Sequence, residues 1–204
     1  SIAHIERCSG ALVGLACGDA VGTSVEFQPR GTFAPLTDMV GGGPFRLQPG
    51  QWTDDTSMAL CLAESLLTQG GFDAFDQMTR YVSWWRRGYL SSTGKCFDIG
   101  LTIRAALRSF EANKQPFAGS SDPCSAGNGA LMRLAPVVLF YYPDIADVEH
   151  FAVESTRTTH AAPDALDCSR LLAHVIAKGL DGRAREEMLD ASTLTLATSS
   201  VAAL

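Results

Sequence analysis

The sequence predicts an all-α fold, and the spacing of its apolar residues is the main reason. Ile99, Ile103, Ala106, Leu107 and Phe110 recur every three or four positions, which places them on one face of a helix. Joints rich in glycine, proline and aspartate separate further segments of this kind, and no segment alternates as a strand would. We therefore expect a compact multi-helix domain rather than a simple bundle.

In chain order, the same reasoning predicts helices at 10–18, 54–67, 72–85, 99–110, 127–140, 144–155 and 162–179. The first could be taken for a signal-peptide core. Glu6 and Arg7 precede it, however, and it runs directly into Gly18 and Asp19, which favours a helix of the folded protein. The uncharged tail at 191–204 is typical of a helix separated from its partners or of a segment outside the fold.

Composition narrows the class of protein. The chain has 204 residues, 46% of them hydrophobic and 19% charged, which suits a single domain over 1–204. A net charge of -6 offers no basic face, so we expect no nucleic-acid polymer as ligand. The longest apolar run, at 135–142, is far shorter than the ~20 residues of a membrane span. The six cysteines contain no C-x-x-C pair, which favours reduced thiols and a cytoplasmic location.

A hydroxyl and two carboxylates stand side by side in the segment W-T-D-D-T at 52–56, where a glycine-rich loop ends and a predicted helix begins. Two interpretations are open. Thr53 could cap the helix while Asp54 and Asp55 complement its dipole. Alternatively, the three side chains could supply hard oxygen ligands for Mg²⁺ from a rigid helix start.

Two further segments place an acid beside a phenylalanine. In G-D-A-x-G-x-x-x-E-F at 18–27, close helix packing would explain the glycines but not Glu26. A carboxyl in partly apolar surroundings suits proton transfer, because burial disfavours its charged form. In F-D-I-G at 97–100, Asp98 could cap the following helix or be held over a pocket.

Two segments nearer the C-terminus suit an anionic ligand. The stretch S-A-G-N-G-A-L-M-R at 125–133 is a glycine-rich loop entering a predicted helix, and such loops can turn backbone N–H groups toward a diphosphate. It does not fit the G-x-x-x-x-G-K-[ST] pattern of nucleoside triphosphatases. In T-H-A-A-P at 159–163, His160 could be a structural hydrogen-bonding residue or a ligand contact.

In this order, the segments G-D-A-x-G-x-x-x-E-F, W-T-D-D-T, F-D-I-G, G-N-G-A-L-M-R and T-H-A-A-P resemble signatures of the ADP-ribosylglycohydrolase family, in particular its bacterial dinitrogenase-reductase-activating type. The resemblance spans residues 10–180. It implies an orthogonal all-helical fold and two Mg²⁺ ions, with Mn²⁺ as the alternative metal. It also implies that the partner is an ADP-ribosylated protein and that ADP-ribose binds in the site.

The resemblance also implies roles for individual residues. Thr53, Asp54 and Asp55 match the first half of the family's metal cluster. Glu26 matches the acid over the scissile bond, and Asp98 matches an acidic residue of the bacterial type. Glu26 would transfer a proton, while Asp55 and Asp98 would stabilise an oxocarbenium-like transition state. The residues that match substrate contacts are Ser125, Gly127, Asn128, Gly129, Met132 and His160.

One departure concerns the metal site, which the family completes with a D-x-D-T segment that this sequence lacks. We expect the natural gene product to continue past residue 204 and to carry that segment. The predicted function is metal-dependent removal of ADP-ribose linked to arginine, in preference to serine. The alternative is a non-catalytic ADP-ribose-binding or structural protein of the same fold. A helical His-Asp phosphohydrolase is disfavoured because the chain has no His-Asp dipeptide.

Overall fold

The computed structural model describes residues 2–202 and confirms the all-α class. No strand forms in that part of the chain, where isolated bridges join Gly42 to Leu47 and Ser120 to His160. The helices are α1 (Ile2–Gly22), α2 (Asp54–Gln69), α3 (Ala74–Arg87), α4 (Leu101–Asn113), α5 (Ala135–Tyr141), α6 (Ile145–Arg157), α7 (Pro163–Leu180), α8 (Arg185–Met188) and α9 (Ser199–Ala202).

The core is built around α2, which packs against α1, α3 and α5. Its apolar residues Met58, Cys61, Leu62 and Leu66 recur at helical spacing and are buried. Burying each large side chain of this kind contributes about 1.5–3 kcal/mol. Because both flanks of α2 are packed in this way, its N-terminal end, which carries the paired aspartates, has a fixed position.

The predicted amphipathic helix at 99–110 corresponds to α4. Its apolar face is buried as expected, through Ile103, Ala106, Leu107 and Phe110. Ile99 precedes the helix and packs against the core from the loop. The helix begins at the end of the F-D-I-G segment, so Asp98 lies outside it.

The predicted helix at 127–140 is wrong in its extent, because the segment divides into a 3-10 turn (Asn128–Ala130) and the short helix α5. Pro136 stands in the first turn of α5. Proline has no N–H to donate and its ring clashes with the carbonyl of the preceding turn, so a helix can begin there but not continue through it. The glycine-rich residues before the break therefore form a loop.

Helix α1 is longer than predicted. The segment Ile2–Val25, 24 residues, is long and apolar enough to cross a membrane by length and composition, a test that signal sequences and core helices of soluble proteins also pass. A Cβ added at Gly10, Gly14 or Gly18 would meet no atom within 4 Å. Close helix packing therefore does not explain these glycines, since no described element approaches that face.

The tail is attached to α7. The backbone N–H groups of Ala197 and Thr198 both donate to Asp167 Oδ2 at 2.7 Å, and the Thr198 hydroxyl donates to the same oxygen at 2.9 Å. The short helix α9 follows, and positions 203–204 lie outside the described residues. Within those residues the tail belongs to the fold, contrary to the expectation of a detached segment.

Candidate active site

A cavity of about 500 Å³ opens where the C-terminal end of α1, the N-terminal end of α2 and the loops before α4 and α5 meet. Its polar lining falls into two groups. We name the acidic wall after its side chains Asp19, Glu26, Thr53, Asp54, Asp55 and Asp98. We name the glycine wall after the loop residues Gly127, Asn128 and Gly129, which lie with Met132 and His160. Segments far apart in the sequence thus meet at one site.

Among the predicted substrate contacts, Ser125 does not line this cavity. Its hydroxyl donates to the carbonyl of Asp122 at 2.6 Å and to that of Ser120 at 3.2 Å. These bonds stay within the loop that precedes the glycine wall, so Ser125 shapes the loop.

Asp19 connects α1 to the start of α2 in the acidic wall, a role that its position in the sequence does not indicate. Its carboxylate accepts from the hydroxyls of Thr53 at 2.7 Å and Thr56 at 2.6 Å, and from their backbone N–H groups at 3.0 and 3.1 Å. Thr53 occupies the N-cap position of α2 but makes no capping bond with its own side chain. A carboxylate from α1 therefore caps α2, and the interpretation of Thr53 as the cap is wrong.

Asp54 and Asp55 begin α2 at the edge of the cavity. Asp54 is 6% exposed, and burial together with the charges of Asp55 and Asp98 raises its pKa to about 9. Burial and the charge of Asp19 raise the pKa of Asp55. Carboxylates crowded in this way repel one another, so a cation would stabilise the ionised form of the wall.

Glu26 and Asp98 reach the acidic wall from loops. Glu26 directly follows a 3-10 turn (Thr23–Val25), and the Thr23 hydroxyl donates to its Oε2 at 3.5 Å. Asp98 has a φ of 58°, a left-handed conformation that aspartate tolerates better than most side chains. The N-cap of α4 is Gly100, without a side-chain capping bond, so the interpretation of Asp98 as a helix cap is wrong.

The Glu26 and Asp98 carboxyls both line the acidic wall, and each shifts the pKa of the other. Burial and the charge of Glu26 raise the pKa of Asp98 to about 7. Burial also raises the pKa of Glu26, and the neighbouring Asp98 carboxyl offsets part of that rise. Asp98 therefore titrates near neutral pH beside a second carboxyl that also resists ionisation.

Three phenylalanines adjoin the acidic wall. Phe27 follows Glu26, and Phe97 precedes Asp98. Phe45 pairs with both, at ring-centroid distances of 6.4 Å to Phe27 and 5.2 Å to Phe97. The ring of Phe27 is on the surface, with 77% of the residue exposed. Together these rings form an apolar face beside the carboxyls, a combination that suits a planar cation.

In the glycine wall, the loop packs directly against the imidazole of His160. A Cβ at Gly129 would lie 2.7 Å from Ile103 Cδ1 and 2.9 Å from His160 Cε1, so a larger residue would displace its neighbours. A Cβ at Gly127 would lie 3.6 Å from His160 Nε2, an ordinary contact. Gly129 is thus the position where the wall depends on the absence of a side chain.

His160 is buried just after α6, with its backbone N–H donating to the carbonyl of Thr156 at 2.8 Å. Its Nδ1 lies 2.8 Å from Thr159 Oγ1. Burial and the nearby charge of Arg133 lower the pKa of His160 to about 4. The imidazole is therefore neutral at physiological pH.

Arg133 lies behind the glycine wall and is 1% exposed. Its Nη1 donates to the carbonyl of Gly129 at 2.9 Å, and its Nη2 donates to Thr159 Oγ1 at 2.7 Å. The guanidinium also stacks over the Tyr81 ring at 4.7 Å. No carboxylate among residues 2–202 forms an ion pair with it. A buried cation without an ion pair makes this side of the cavity electropositive.

The acidic wall suits a hard cation in its donor chemistry, since hydroxyl and carboxylate oxygens are the ligands that Mg²⁺ prefers. Thr53, Asp54 and Asp55 offer such oxygens from one helix start. Within residues 2–202, however, no three His, Cys, Asp or Glu side chains are grouped so as to hold a metal ion. The described residues therefore fit part of a magnesium coordination shell.

Comparison with known proteins shows extensive similarity. The family model described as ADP-ribosylglycohydrolase matches residues 1–203. ADP-ribosylarginine hydrolase Tri1 of Pseudomonas putida (strain GB-1) is 45% identical over 185 residues, which cover 91% of this chain and 50% of that protein. ADP-ribosyl-[dinitrogen reductase] glycohydrolase of Rhodospirillum rubrum is 37% identical over 179 residues, which cover 84% of this chain and 58% of that protein.

A solved structure of an ADP-ribosylglycohydrolase-related protein complex superposes with a TM-score of 0.81 and 45% sequence identity. The match covers 92% of this chain and 61% of that one. The chain thus spans about half the length of the curated relatives it matches.

Proposed function

The chain belongs to the ADP-ribosylglycohydrolase family, and we propose that its cavity is the active site of a Mg²⁺-dependent hydrolase that removes ADP-ribose from arginine side chains of modified cytoplasmic proteins. The meeting of the acidic wall and the glycine wall in one cavity carries this proposal. Cleavage at a sugar requires acidic groups near the anomeric carbon. ADP-ribose also carries a diphosphate, which suits the electropositive side of the cavity.

In this proposal, Thr53, Asp54 and Asp55 hold the metal. When bound, Mg²⁺ orients the ribose hydroxyls and lowers the pKa of a water molecule. The raised pKa values of Asp54 and Asp55 support this assignment, because neighbouring carboxylates that resist ionisation gain from a cation. The other ligands would be water, substrate oxygens or residues outside 2–202.

The Glu26–Asp98 pair is assigned the proton transfers. The C–N bond at the anomeric carbon breaks with its electron pair on the leaving guanidine nitrogen, and water adds to the carbon. The products are ADP-ribose and unmodified arginine. Because Asp98 titrates near neutral pH and the pKa of Glu26 is raised, these two acids can accept a proton from water and return one to the leaving nitrogen. The negative charge of Asp55 stabilises the oxocarbenium-like transition state.

The aromatic face beside these acids supports arginine as the linked residue. A guanidinium over an exposed aromatic ring gains about 0.5–1 kcal/mol, whereas a serine hydroxyl gains no cation–π contact. The nearby carboxylates add electrostatic attraction for a cation. The relative from Pseudomonas putida is named as an ADP-ribosylarginine hydrolase, which agrees with this assignment.

The test is release of ADP-ribose from matched protein substrates modified on arginine or on serine, with Mg²⁺ or with EDTA, using the full gene product. We expect release from arginine to be at least ~10-fold faster, and EDTA to abolish it. Faster release from serine would contradict the assignment of the linkage.

A second candidate function is non-catalytic binding of ADP-ribose, which the incomplete metal group within residues 2–202 favours. Tight binding of ADP-ribose without release from either substrate at saturating Mg²⁺ would support this alternative and exclude the hydrolase.

A further inference from the structure

The hydrogen bonds behind the glycine wall indicate a role for Arg133. We propose that Arg133, acting through the hydroxyl of Thr159, holds His160 in the tautomer that carries its hydrogen on Nε2, so that a buried N–H donor faces an oxygen of the ADP-ribose diphosphate. Arg133 is then a positioning residue, since it acts through its neighbours. The identity of the ligand rests on the proposed function, whereas the tautomer does not.

The Thr159 hydroxyl lies between a guanidinium and an imidazole, and only one of these two groups can accept a hydrogen bond. A guanidinium can only donate, so Thr159 Oγ1 accepts the bond from Arg133 Nη2. The remaining partner of Oγ1 among the described residues is His160 Nδ1 at 2.8 Å. Thr159 is 0% exposed, so water does not reach its hydroxyl hydrogen. Because an unmade buried hydrogen bond is costly, this hydrogen goes to Nδ1.

The bond at Nδ1 determines where the imidazole of His160 carries its hydrogen. An Nδ1 that accepts a hydrogen bond carries no hydrogen, and a neutral imidazole then has its single hydrogen on Nε2. His160 lines the cavity and is 1% exposed, and no described residue hydrogen-bonds its Nε2. The Nε2–H group is thus a donor without a protein partner, in a cavity lined by the glycine loop.

The guanidinium of Arg133 also contacts the glycine loop. The Gly129 carbonyl accepts from Nη1, so this oxygen is directed toward the guanidinium and does not repel an anion in the cavity. The guanidinium has no ion-pair partner among residues 2–202, which leaves its charge available to attract a diphosphate. One buried side chain therefore orients two cavity residues toward an anionic ligand.

The tautomer is tested by ¹⁵N NMR of the histidine side chains in the ligand-free full gene product. The chain has four histidines, and His160→Gln identifies the signals of His160. We expect hydrogen on Nε2 and an unprotonated, hydrogen-bonded Nδ1. Hydrogen on Nδ1 would overturn the proposal, and this result does not depend on whether the protein is a hydrolase.

The contacts from Arg133 through Thr159 to His160 are tested by variants and by calorimetry with ADP-ribose as the probe. Thr159→Val removes the hydroxyl at nearly constant volume, so we expect mixed tautomers and roughly tenfold weaker binding. Thr159→Ser should restore both properties. Arg133→Met should also give mixed tautomers of His160. If this variant does not fold, the two Thr159 variants decide the matter. Unchanged tautomer and affinity in Thr159→Val would contradict the proposal.

The matched control is Thr156→Val. Thr156 is a buried threonine whose hydroxyl bonds Ala152 and Ser169 and does not contact the imidazole. It should lose stability but keep the tautomer and the affinity for ADP-ribose. Equal losses of affinity in Thr156→Val and Thr159→Val would mean that the weaker binding results from general destabilisation, and this would overturn the proposal. Intact tautomer and binding without hydrolysis would instead count against the proposed function.

Discussion

The acidic wall and the glycine wall line one cavity, but they are suited to opposite charges. On the acidic wall, burial and mutual repulsion raise the pKa of Asp54 to about 9 and that of Asp98 to about 7. On the glycine wall, burial and the Arg133 charge lower the pKa of His160 to about 4. One wall is therefore stabilised by a bound cation and the other by a bound anion. A magnesium complex of ADP-ribose would supply both charges, which is why the two walls specify a ligand better together than separately.

The largest expected effect removes one charge from the acidic wall. Asp54→Asn or Asp55→Asn should lower turnover of the arginine-linked substrate by at least ~100-fold, because the proposed metal would lose a carboxylate ligand. The fold should persist, because Asn occupies nearly the same volume and remains polar. Steady-state rates and circular dichroism check the two expectations. Wild-type rates in either variant at saturating Mg²⁺ would remove these residues from the mechanism.

The next effect tests the glycine wall. Gly129→Ala should weaken ADP-ribose binding by roughly 10- to 100-fold, because its Cβ would push on Ile103 and on the His160 ring, and overpacking of this kind costs about 1–3 kcal/mol. Gly127→Ala is the matched control, since its Cβ would only reach ordinary contact with His160. Calorimetry of both variants should show the larger loss at Gly129. The reverse order would mean that the ring position does not govern binding.

The raised pKa values of the acidic wall make stability depend on pH. Without metal, the free energy of unfolding should fall as pH rises from 5 to 9. In this range the folded acids, with pKa values of about 9 and about 7, bind more protons than unfolded aspartates with pKa 3.8. Mg²⁺ should therefore raise Tm by about 2–5 °C more at pH 8 than at pH 5. Thermal melts with Mg²⁺ or EDTA check this, and equal shifts at both pH values would contradict it.

The smallest expected effect on turnover comes from substituting an aspartate that caps a helix. Asp73 caps α3 by accepting from the Asp76 N–H at 2.9 Å, outside the cavity. Asp73→Ala should cost about 1 kcal/mol of stability and leave turnover unchanged. Asp54→Asn should show the opposite pattern, with lost turnover and retained stability. Urea unfolding and rate measurements on the two variants would therefore distinguish a capping acid from a site acid.

Predictions from sequence succeeded where the signal is local. The start of α2 at Asp54 and the buried face of α4 follow from apolar spacing and from the loop composition before each helix. The predicted helix at 127–140 failed because the apolar pattern continued through Pro136, whose effect on the backbone overrides periodicity. Apolar spacing reports which face is buried, but it does not report where backbone hydrogen bonding is interrupted.

The sequence by itself determined the all-α class, most helix positions and the segments that carry acids and glycines, because these depend on residues a few positions apart. Only the tertiary structure decided which acid caps a helix and which acids line the cavity. Asp19 caps α2 from 34 residues away, Asp98 lines the cavity with Glu26 and does not cap α4, and Arg133 reaches His160 through Thr159. Such pairings depend on how separately folded segments approach one another, and burial at those contacts sets the protonation states that the chemistry uses.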